Sequence, residues 1–381
     1  MGDSMKKLAI LGSTGSIGRQ ALEIVRAFPG RLKVVALAAG NNLPLMLEQV
    51  QEFHPVFFSL EAEADRKNLQ LQVPECKYLP PQEMASLPEV DLVLVATSGK
   101  VGLGPTLAAL GAKKQVALAN KEALVMAGEI VTAAAKSNGI TLFPVDSEHS
   151  ALWQCLLGEG REIARLLLTA SGGAFRDRPL EELASVTPQE ALRHPTWHMG
   201  RKVTVDSATL MNKGMEALEA RWLFDIPLDR IEMIMHPQSI VHSLVEFADG
   251  SVKAQLSSPD MRLPIQFALS YPERWENRDL PKLDLAQAGS LHFGPVDVGR
   301  YPCLALALEA GRRGGTYPAV LCAADEEAVG LFLAGKIGFL DIPRLVNKAL
   351  TLHKGTDQAT LYDVLAADAW AREEVLAAAT G

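Results

Sequence analysis

The sequence predicts an α/β chain in three parts: a doubly wound parallel sheet at the N-terminus, an α+β middle and a helical C-terminal end. Three observations predict it. Residues 6–145 alternate short apolar runs with helical patterns. A glycine loop, Gly12-Ser13-Thr14-Gly15-Ser16-Ile17-Gly18, joins the first apolar run to the first helix. From Tyr301 onward the chain is alanine-rich with a helical rhythm, broken at Gly314-Gly315 and Gly355.

The runs Leu8–Leu11, Val34–Leu37, Val56–Phe58, Leu92–Val95, Val116–Leu118 and Thr141–Phe143 read as strands. Nearly all are apolar on both faces, as buried parallel strands are. Between the first two lies a helix with Ile17, Ala21, Ile24 and Phe28 on one stripe, closed by Pro29-Gly30. This order places a ligand at the C-terminal strand edges. After residue 147 the rhythm changes. Strands at Arg165–Leu168, Ile231–Met235, Leu244–Phe247 and Val252–Gln255 mix with helices and long polar loops, and Asp249-Gly250 turns between the last two. Residues 276–300 carry proline, glycine and charge without a clear period and read as a linker. The expected organisation is therefore 1–146, 147–275, a linker 276–300, and a helical 301–381.

Composition narrows the function. A chain of 381 residues makes two or three domains at roughly 150 residues each. Hydrophobic residues at 48% and charged residues at 22% exclude a mainly disordered chain. Lys+Arg 37 against Asp+Glu 45 gives a net charge of −8. That balance argues against nucleic acid or an anionic membrane as partner, so any anionic ligand is small and held locally. No apolar run approaches the ~18 residues a membrane span needs, and the N-terminus lacks a signal-peptide pattern. Cys76, Cys155, Cys303 and Cys322 form no CxxC pair. They read as small buried hydrophobes in a cytoplasmic protein, without a structural zinc or disulfide framework.

Six motifs carry chemistry. The GxxGxxG spacing of the glycine loop, between strand and helix, lets the backbone approach a dinucleotide pyrophosphate at a helix N-terminus. The plain alternative is a tight strand–helix turn. The context favours a Rossmann-like domain. The second strand runs into Ala38-Ala39-Gly40-Asn41-Asn42, without the carboxylate that usually holds the ribose 2′-OH of NAD. A neutral turn there tolerates a 2′-phosphate and favours NADPH. Asp146 and Glu148, read as an extended segment, point the same way. Two converging carboxylates need a cation, and a hard divalent ion such as Mg²⁺ or Mn²⁺ suits them. Taken alone, that tripeptide is more often a solvated loop.

The stretch Val205–Glu216 begins with cap-type residues and continues as a helix, with Asn212, Lys213 and Glu216 near one face. A solvated Lys–Glu pair is the plain alternative. The apolar stripe Ala217, Leu218, Trp222 and Leu223 argues instead for a packed helix with its polar face aligned on something. Ser171-Gly172-Gly173 follows a strand as a small anion nest. With Ser207, Asn212 and Lys213 it could hold a phosphate. The loop His194–Gly200 reads as a lid, with Trp197 as an apolar cover.

Several stretches together closely resemble the 1-deoxy-D-xylulose 5-phosphate reductoisomerase family. They are GSTGSIG (12–18), ANKEALV (119–125), PVDSEHSALWQ (144–154), TASGGAFR (169–176), HPTWHMGRKVTVDSATLMNKGMEALEARWLF (194–224) and HPQSIVHSLVEFADGS (236–251). The resemblance extends over the whole chain. It implies conversion of 1-deoxy-D-xylulose 5-phosphate to 2-C-methyl-D-erythritol 4-phosphate with NADPH and Mg²⁺, Mn²⁺ or Co²⁺, in the non-mevalonate isoprenoid pathway. By position it implies metal ligation by Asp146, Glu148 and Glu216, and phosphate binding by Ser171, Ser207, Asn212 and Lys213 with His194 close by. Lys121 and Ser147 match residues that touch the substrate hydroxyls, with Lys121 counted among the catalytic residues beside the three carboxylates. Trp197 and Met199 match the flap. NADPH contacts match residues Gly12 to Gly18, Gly40, Asn41, Asn42, Asn120 and Glu122, with Met199 and Gly200 from the flap.

The resemblance further implies a retro-aldol and aldol route to an aldehyde that NADPH reduces, with no covalent nucleophile. It also implies a homodimer and inhibition by fosmidomycin through the metal and the phosphate pocket. Two positions depart from the family pattern: Asn41 stands where many members have Lys, and His198 where others have Ser. Two rival classes fit less well. A semialdehyde dehydrogenase needs a nucleophilic Cys, for which Cys155 in the apolar ALWQCLL run is a poor candidate, and neither it nor a homoserine dehydrogenase explains three carboxylates. A non-catalytic NADP-binding regulator needs neither the carboxylates nor the phosphate nest.

If the Gly40–Asn42 turn meets the adenosine 2′-phosphate, Asn41→Lys tightens NADPH several-fold and leaves NADH unchanged, as read by quenching of protein fluorescence. Equal gains for both cofactors would contradict that placement.

Overall fold

Burial of the first strand on both faces sets the layout. A computed structural model describes residues 5–160, 162–197 and 199–380. In it Leu8, Ala9, Ile10 and Leu11 of β1 (Lys6–Leu11) are fully buried. A strand with no face toward water must be covered on both sides. The same sheet contains β2 (Leu32–Ala38), β3 (Phe57–Ser59), β4 (Lys77–Tyr78), β5 (Leu92–Val95), β6 (Gln115–Leu118) and β7 (Leu142–Pro144). All pair in parallel, in the order β4-β3-β2-β1-β5-β6-β7. The order reverses at β1, between β2 and β5, so the ligand crevice of such a sheet lies at the C-terminal end of β1, where the glycine loop begins. The predicted strands are all present. β4 has no sequence signal because it is two exposed residues at the sheet edge.

The described chain forms two compact units. The first holds residues up to Ala123, Val131–Ser150 and Asp260–Pro281; the second holds Leu124–Ile130, Ala151–Pro259 and the chain from Lys282 onward. Residues 260–281, which contain the helix Arg262–Ser270, thus fold with the parallel sheet. The second unit has a mixed sheet of β8 (Ile163–Ala170), β9 (Ile231–Met235), β10 (Val241–Phe247), β11 (Val252–Leu256) and β12 (Gly294–Pro295), in the order β11-β10-β8-β9-β12. β8 and β9 are parallel and the other pairs antiparallel. The stretch read as a linker supplies the edge strand β12. Helices Pro302–Arg313, Tyr317–Leu333, Asp341–Leu352 and Leu361–Thr380 complete the unit, with Tyr317–Leu333 buried along most of its length.

Two local expectations need correction. The Asp146–Glu148 segment is not extended: Ser147–Leu156 is a helix, and Ser150 N–H donates to Asp146 O at 2.8 Å. The apolar sequence after Glu148 favours a helix, so the same-side argument for Asp146 and Glu148 does not hold. Likewise Val205–Ser207 does not open the Glu216 helix. These residues lie inside a helix Arg201–Thr209, which ends where Leu210 turns left-handed at φ 56°, and a new helix Met211–Phe224 starts there. Asp206 and Ser207 are buried helix residues rather than caps.

Within the second unit, Lys202 Nζ donates to Asp206 Oδ2 and to Asp325 Oδ2, both at 2.6 Å. Both carboxylates are almost wholly buried. The cluster ties the helix carrying Ser207 to the Tyr317–Leu333 helix. Lys202→Met leaves two buried carboxylates without their shared cation and is expected to cost roughly 3–5 kcal/mol in urea unfolding. Adding Asp325→Asn should recover much of that loss. A cost below about 1 kcal/mol would mean that the cluster behaves as a solvated surface pair.

Candidate active site

The glycine loop is held by close approach. Gly12 sits at φ +93°, and a Cβ on Gly18 would fall 2.2 Å from Gly12 O, so loop and helix close only around glycine. Gly15 caps the helix Ser16–Ala27 without a side-chain hydrogen bond, and the first turn holds no acidic residue. The first N–H groups and the positive helix end are therefore available to an anion. This uncapped end fits a dinucleotide pyrophosphate. Gly15 and Ser16 are exposed at the tip, with Thr14 and Ile17 half-buried. Ser13 is buried: its hydroxyl faces Met46 Sδ at 3.7 Å, and its carbonyl accepts from Gln49 Nε2 at 3.0 Å. Ser13 thus offers its backbone, and Gln49 is a support that no spacing rule points to.

At the end of β2, Asn41 is exposed, and Asn42 Oδ1 accepts from Leu45 N–H at 3.2 Å to cap the helix Leu43–Phe53. Glu61 was missed from sequence. Its N–H donates to Gly40 O at 3.2 Å, and its carboxylate carbon lies 3.8 Å from where a Gly40 Cβ would stand. The end of β2 carries no carboxylate of its own, as read from the sequence, and Glu61 from the loop after β3 lies beside it.

Asn120 is consumed by structure. Its Nδ2 donates to Thr97 O and Gly99 O at 2.8 Å each and to Glu122 Oε2 at 3.3 Å, while Oδ1 caps the helix Lys121–Asn138 by accepting from Ala123 N–H at 3.0 Å. This buried cap fixes Lys121, whose ammonium pairs with the Asp146 carboxylate. Ser147 Oγ donates to Glu148 Oε2 at 2.7 Å.

In the second unit, β8 runs into Ser171-Gly172-Gly173, with both glycines at positive φ. A Cβ on Gly173 would fall 2.5 Å from Ser207 O, so the nest packs on the helix that carries Ser207. His194 Nε2 lies 3.0 Å from Ser171 Oγ and 3.1 Å from Ser207 Oγ. Its Nδ1 accepts from Trp197 N–H at 2.9 Å and Thr196 N–H at 3.2 Å. Nδ1 is therefore the bare nitrogen and Nε2 carries the proton, aimed between two hydroxyls. Arg176 Nη1 donates to Ser171 O at 2.8 Å and braces the nest. Its place five residues after Ser171 was visible in the sequence but gave no spacing signal.

Asn212, Lys213 and Glu216 form a second group. Asn212 Nδ2 and Lys213 Nζ donate to the two oxygens of Glu216, Oε1 and Oε2, each at 2.5 Å. Lys213 and Glu216 are 4% and 1% exposed. Trp197 and Met199 are half-buried, with the Trp197 ring 6.0 Å from that of His242, and Gly200 opens the following helix. His198 lies outside the described residues. Lysine ammonium groups thus rest on Asp146 in one unit and Glu216 in the other. In each unit, carboxylate oxygens that already hold a positive charge suit a hard divalent cation. Burial pushes the Cys155 thiol up to about 11, which removes thiolate chemistry at neutral pH.

Comparisons with known proteins agree with one another. Residues 8–128 match the family model described as 1-deoxy-D-xylulose 5-phosphate reductoisomerase, residues 142–224 that of its C-terminal domain, and residues 256–374 that of the DXP reductoisomerase C-terminal domain. The chain is 54% identical over 376 residues to the 1-deoxy-D-xylulose 5-phosphate reductoisomerase of Heliobacterium modesticaldum, covering 97% of this chain and 96% of that one. For that of Desulforamulus reducens the identity is 52% over 379 residues, covering 97% and 98%. Among solved structures it is similar to the Zymomonas mobilis reductoisomerase in complex with NADPH, at TM-score 0.91 and 39% identity over 99% of both chains. A DOX-P reductoisomerase in complex with NADPH, fosmidomycin and magnesium gives TM-score 0.93 and 40% identity, over 99% of this chain and 98% of that one.

Burial, with the Arg176 charge adding to it, holds the His194 imidazole at about 4 rather than the usual 6.5. The unfolded chain takes up this proton as pH falls through 6.5, and the folded chain takes it up only near 4. Stability contributed by the neutral ring is therefore full above that window and is lost as pH drops through it. Urea unfolding at a series of pH values should show this slope, and His194→Gln should flatten it. An unchanged slope in the variant would contradict a buried neutral imidazole.

Proposed function

The chain belongs to the 1-deoxy-D-xylulose 5-phosphate reductoisomerase family, and from that premise we propose how its residues divide the reaction. It is an NADP-dependent oxidoreductase. With NADPH and a divalent cation it isomerises and reduces 1-deoxy-D-xylulose 5-phosphate to 2-C-methyl-D-erythritol 4-phosphate, in non-mevalonate isoprenoid precursor biosynthesis. One observation carries the residue assignment: a proton-bearing His194 Nε2 set between Ser171 Oγ and Ser207 Oγ beside a glycine nest. Such a group binds a phosphate with neutral donors.

In this reading Ser171, His194, Ser207, Asn212 and Lys213 hold the substrate phosphate, remote from the reacting carbons. Binding energy collected there orients the substrate and draws the flap, residues 194–200, over it. Trp197 then excludes water, with Met199 and Gly200 toward the cofactor side. The backbone of Gly12, Ser13, Thr14, Gly15, Ser16, Ile17 and Gly18 takes the pyrophosphate of NADPH, which supplies the hydride. Gly40, Asn41 and Asn42 take its adenosine end, with Asn120 and Glu122 as further contacts. Asp146, Glu148 and Glu216 would hold the divalent cation, which supplies Lewis-acid polarisation of the substrate oxygens. Lys121 and Ser147 position the substrate hydroxyls. The first unit, which includes residues 260–281, forms the NADPH-binding part, and the second, with β8 to β12 and the C-terminal helices, forms the catalytic part. The family reading also makes the protein a homodimer that accepts Mn²⁺ or Co²⁺ as well as Mg²⁺, and its scattered, buried cysteines fit a reducing cytoplasm. Among the described residues no helix is long and apolar enough to cross a membrane.

Steady-state assays of NADPH oxidation with 1-deoxy-D-xylulose 5-phosphate separate the two groups. Lys213→Ala should raise KM for the sugar phosphate at least about tenfold, the worth of one charge-assisted hydrogen bond, with NADPH affinity unchanged. Glu216→Gln should lower turnover by orders of magnitude and weaken its metal dependence. An unchanged KM in the first variant, or normal turnover in the second, would overturn the corresponding role.

A further inference from the structure

We propose that Gln49 is a positioning residue for the cofactor: it fixes the Ser13–Thr14 peptide so that Thr14 N–H joins the open helix end in holding the pyrophosphate of NADPH. This rests on the reading above, in which the glycine loop takes that pyrophosphate. The loop's N–H groups divide unequally. Gly12 and Ser13 N–H both donate to Ala38 O, at 2.8 and 2.9 Å, and Gly15 N–H donates to Gly12 O at 3.1 Å. Those three hold the loop itself together. Among the described residues Thr14 N–H has no partner.

The direction of that N–H is set by its peptide. The Ser13–Thr14 bond is trans, so its C=O and N–H point opposite ways in one plane. Gln49 Nε2 donates to Ser13 O at 3.0 Å. This contact holds the carbonyl toward the helix Leu43–Phe53 and turns Thr14 N–H away from it. With no donor there, the peptide is free to rotate and to present its carbonyl, instead of its N–H, to an anion. The residue type points the same way. Met46, Gln49 and Val50 form the buried face of that helix, and Gln49 is 3% exposed. An apolar side chain suits such a face. Gln49 instead buries an amide whose Oε1 meets no donor, which costs stability. What it adds over leucine or methionine is the hydrogen bond to the loop carbonyl.

The test uses variants of the full-length protein, with NADPH affinity read by fluorescence quenching and folding by urea unfolding. Gln49→Met and Gln49→Leu remove the donor and keep a side chain of similar size. Each should weaken NADPH about fivefold, the worth of one hydrogen bond, with the unfolding midpoint equal or raised. In steady-state assays KM for NADPH should rise while kcat and the KM for the sugar phosphate stay unchanged, as for a contact equal in ground and transition states. Adenosine 2′-monophosphate, which lacks the pyrophosphate, should bind wild type and variants within about twofold in calorimetry, as an independent site does. Met46→Leu repacks the same helix under the same loop, where Met46 Sδ meets Ser13 Oγ. It should leave NADPH affinity within about twofold, as a volume-conserving swap does. Unchanged NADPH affinity in a folded Gln49 variant would overturn the proposal. An equal loss in Met46→Leu would reduce the effect to packing and overturn it, and an equal loss of adenosine 2′-monophosphate would move it to the adenosine end and overturn it too. Ser16→Asp places a negative charge at the open helix end and should weaken NADPH more than either Gln49 variant does. NADPH binding indifferent to Ser16→Asp would overturn the glycine-loop reading instead.

Discussion

A buried carboxylate must have a positive partner, and Glu216, 1% exposed and paired with Lys213, meets that constraint within the candidate site. Such a pair adds little net stability, because desolvation offsets the attraction. Its effect is to set an ammonium beside an acid in a dry place. The local fold serves this end. Leu210 breaks the chain out of one helix at φ 56° and starts another at Met211, so Lys213 falls in the first turn and Glu216 about one turn on. The preceding helix brings Ser207 to the same break, and the Ser171–Gly173 nest packs on its backbone.

The first unit answers the same constraint with Lys121 and Asp146. It also contrasts two helix N-termini. Asn120 caps the Lys121 helix with its side chain and spends both amide hydrogens on nearby carbonyls. Gly15 leaves the Ser16 helix without any side-chain cap. One end is closed to hold a lysine in place; the other is left open, at the point where strand order reverses, to receive an anion.

The sheet was readable because its strands are apolar on both faces and separated by glycine and proline punctuation. β4 was not, since Lys77–Tyr78 has neither length nor hydrophobicity. The errors arose where local patterns are ambiguous. Asp146-Ser147-Glu148 suits a strand end as well as a helix start, and only the following residues decide. Asp206-Ser207 looks like a cap but sits inside a helix, because burial and the Lys202–Asp325 contact override the local preference. In the candidate site, glycine spacing and the Asn212-Lys213-Glu216 register were visible at short range. Gln49 under Ser13, Arg176 behind Ser171 and Glu61 beside Gly40 were not, because their roles depend on loop and strand neighbours that no short spacing encodes. The family resemblance named the candidate site residues, but gave no hint that Asn212 and Lys213 both donate to Glu216.

The central claim is the proposed one, that lysine ammonium groups rest on Asp146 and Glu216 where a divalent cation would. Its most direct test is diffraction from Mn²⁺-soaked crystals at the manganese absorption edge. The proposed reading requires a strong anomalous peak with an oxygen of Glu216 among its ligands at about 2.0–2.2 Å, near the range for a small hard divalent ion, with Lys213 Nζ moved off Glu216. A peak ligated elsewhere, or one at this site with the Lys213–Glu216 pair intact, would contradict it.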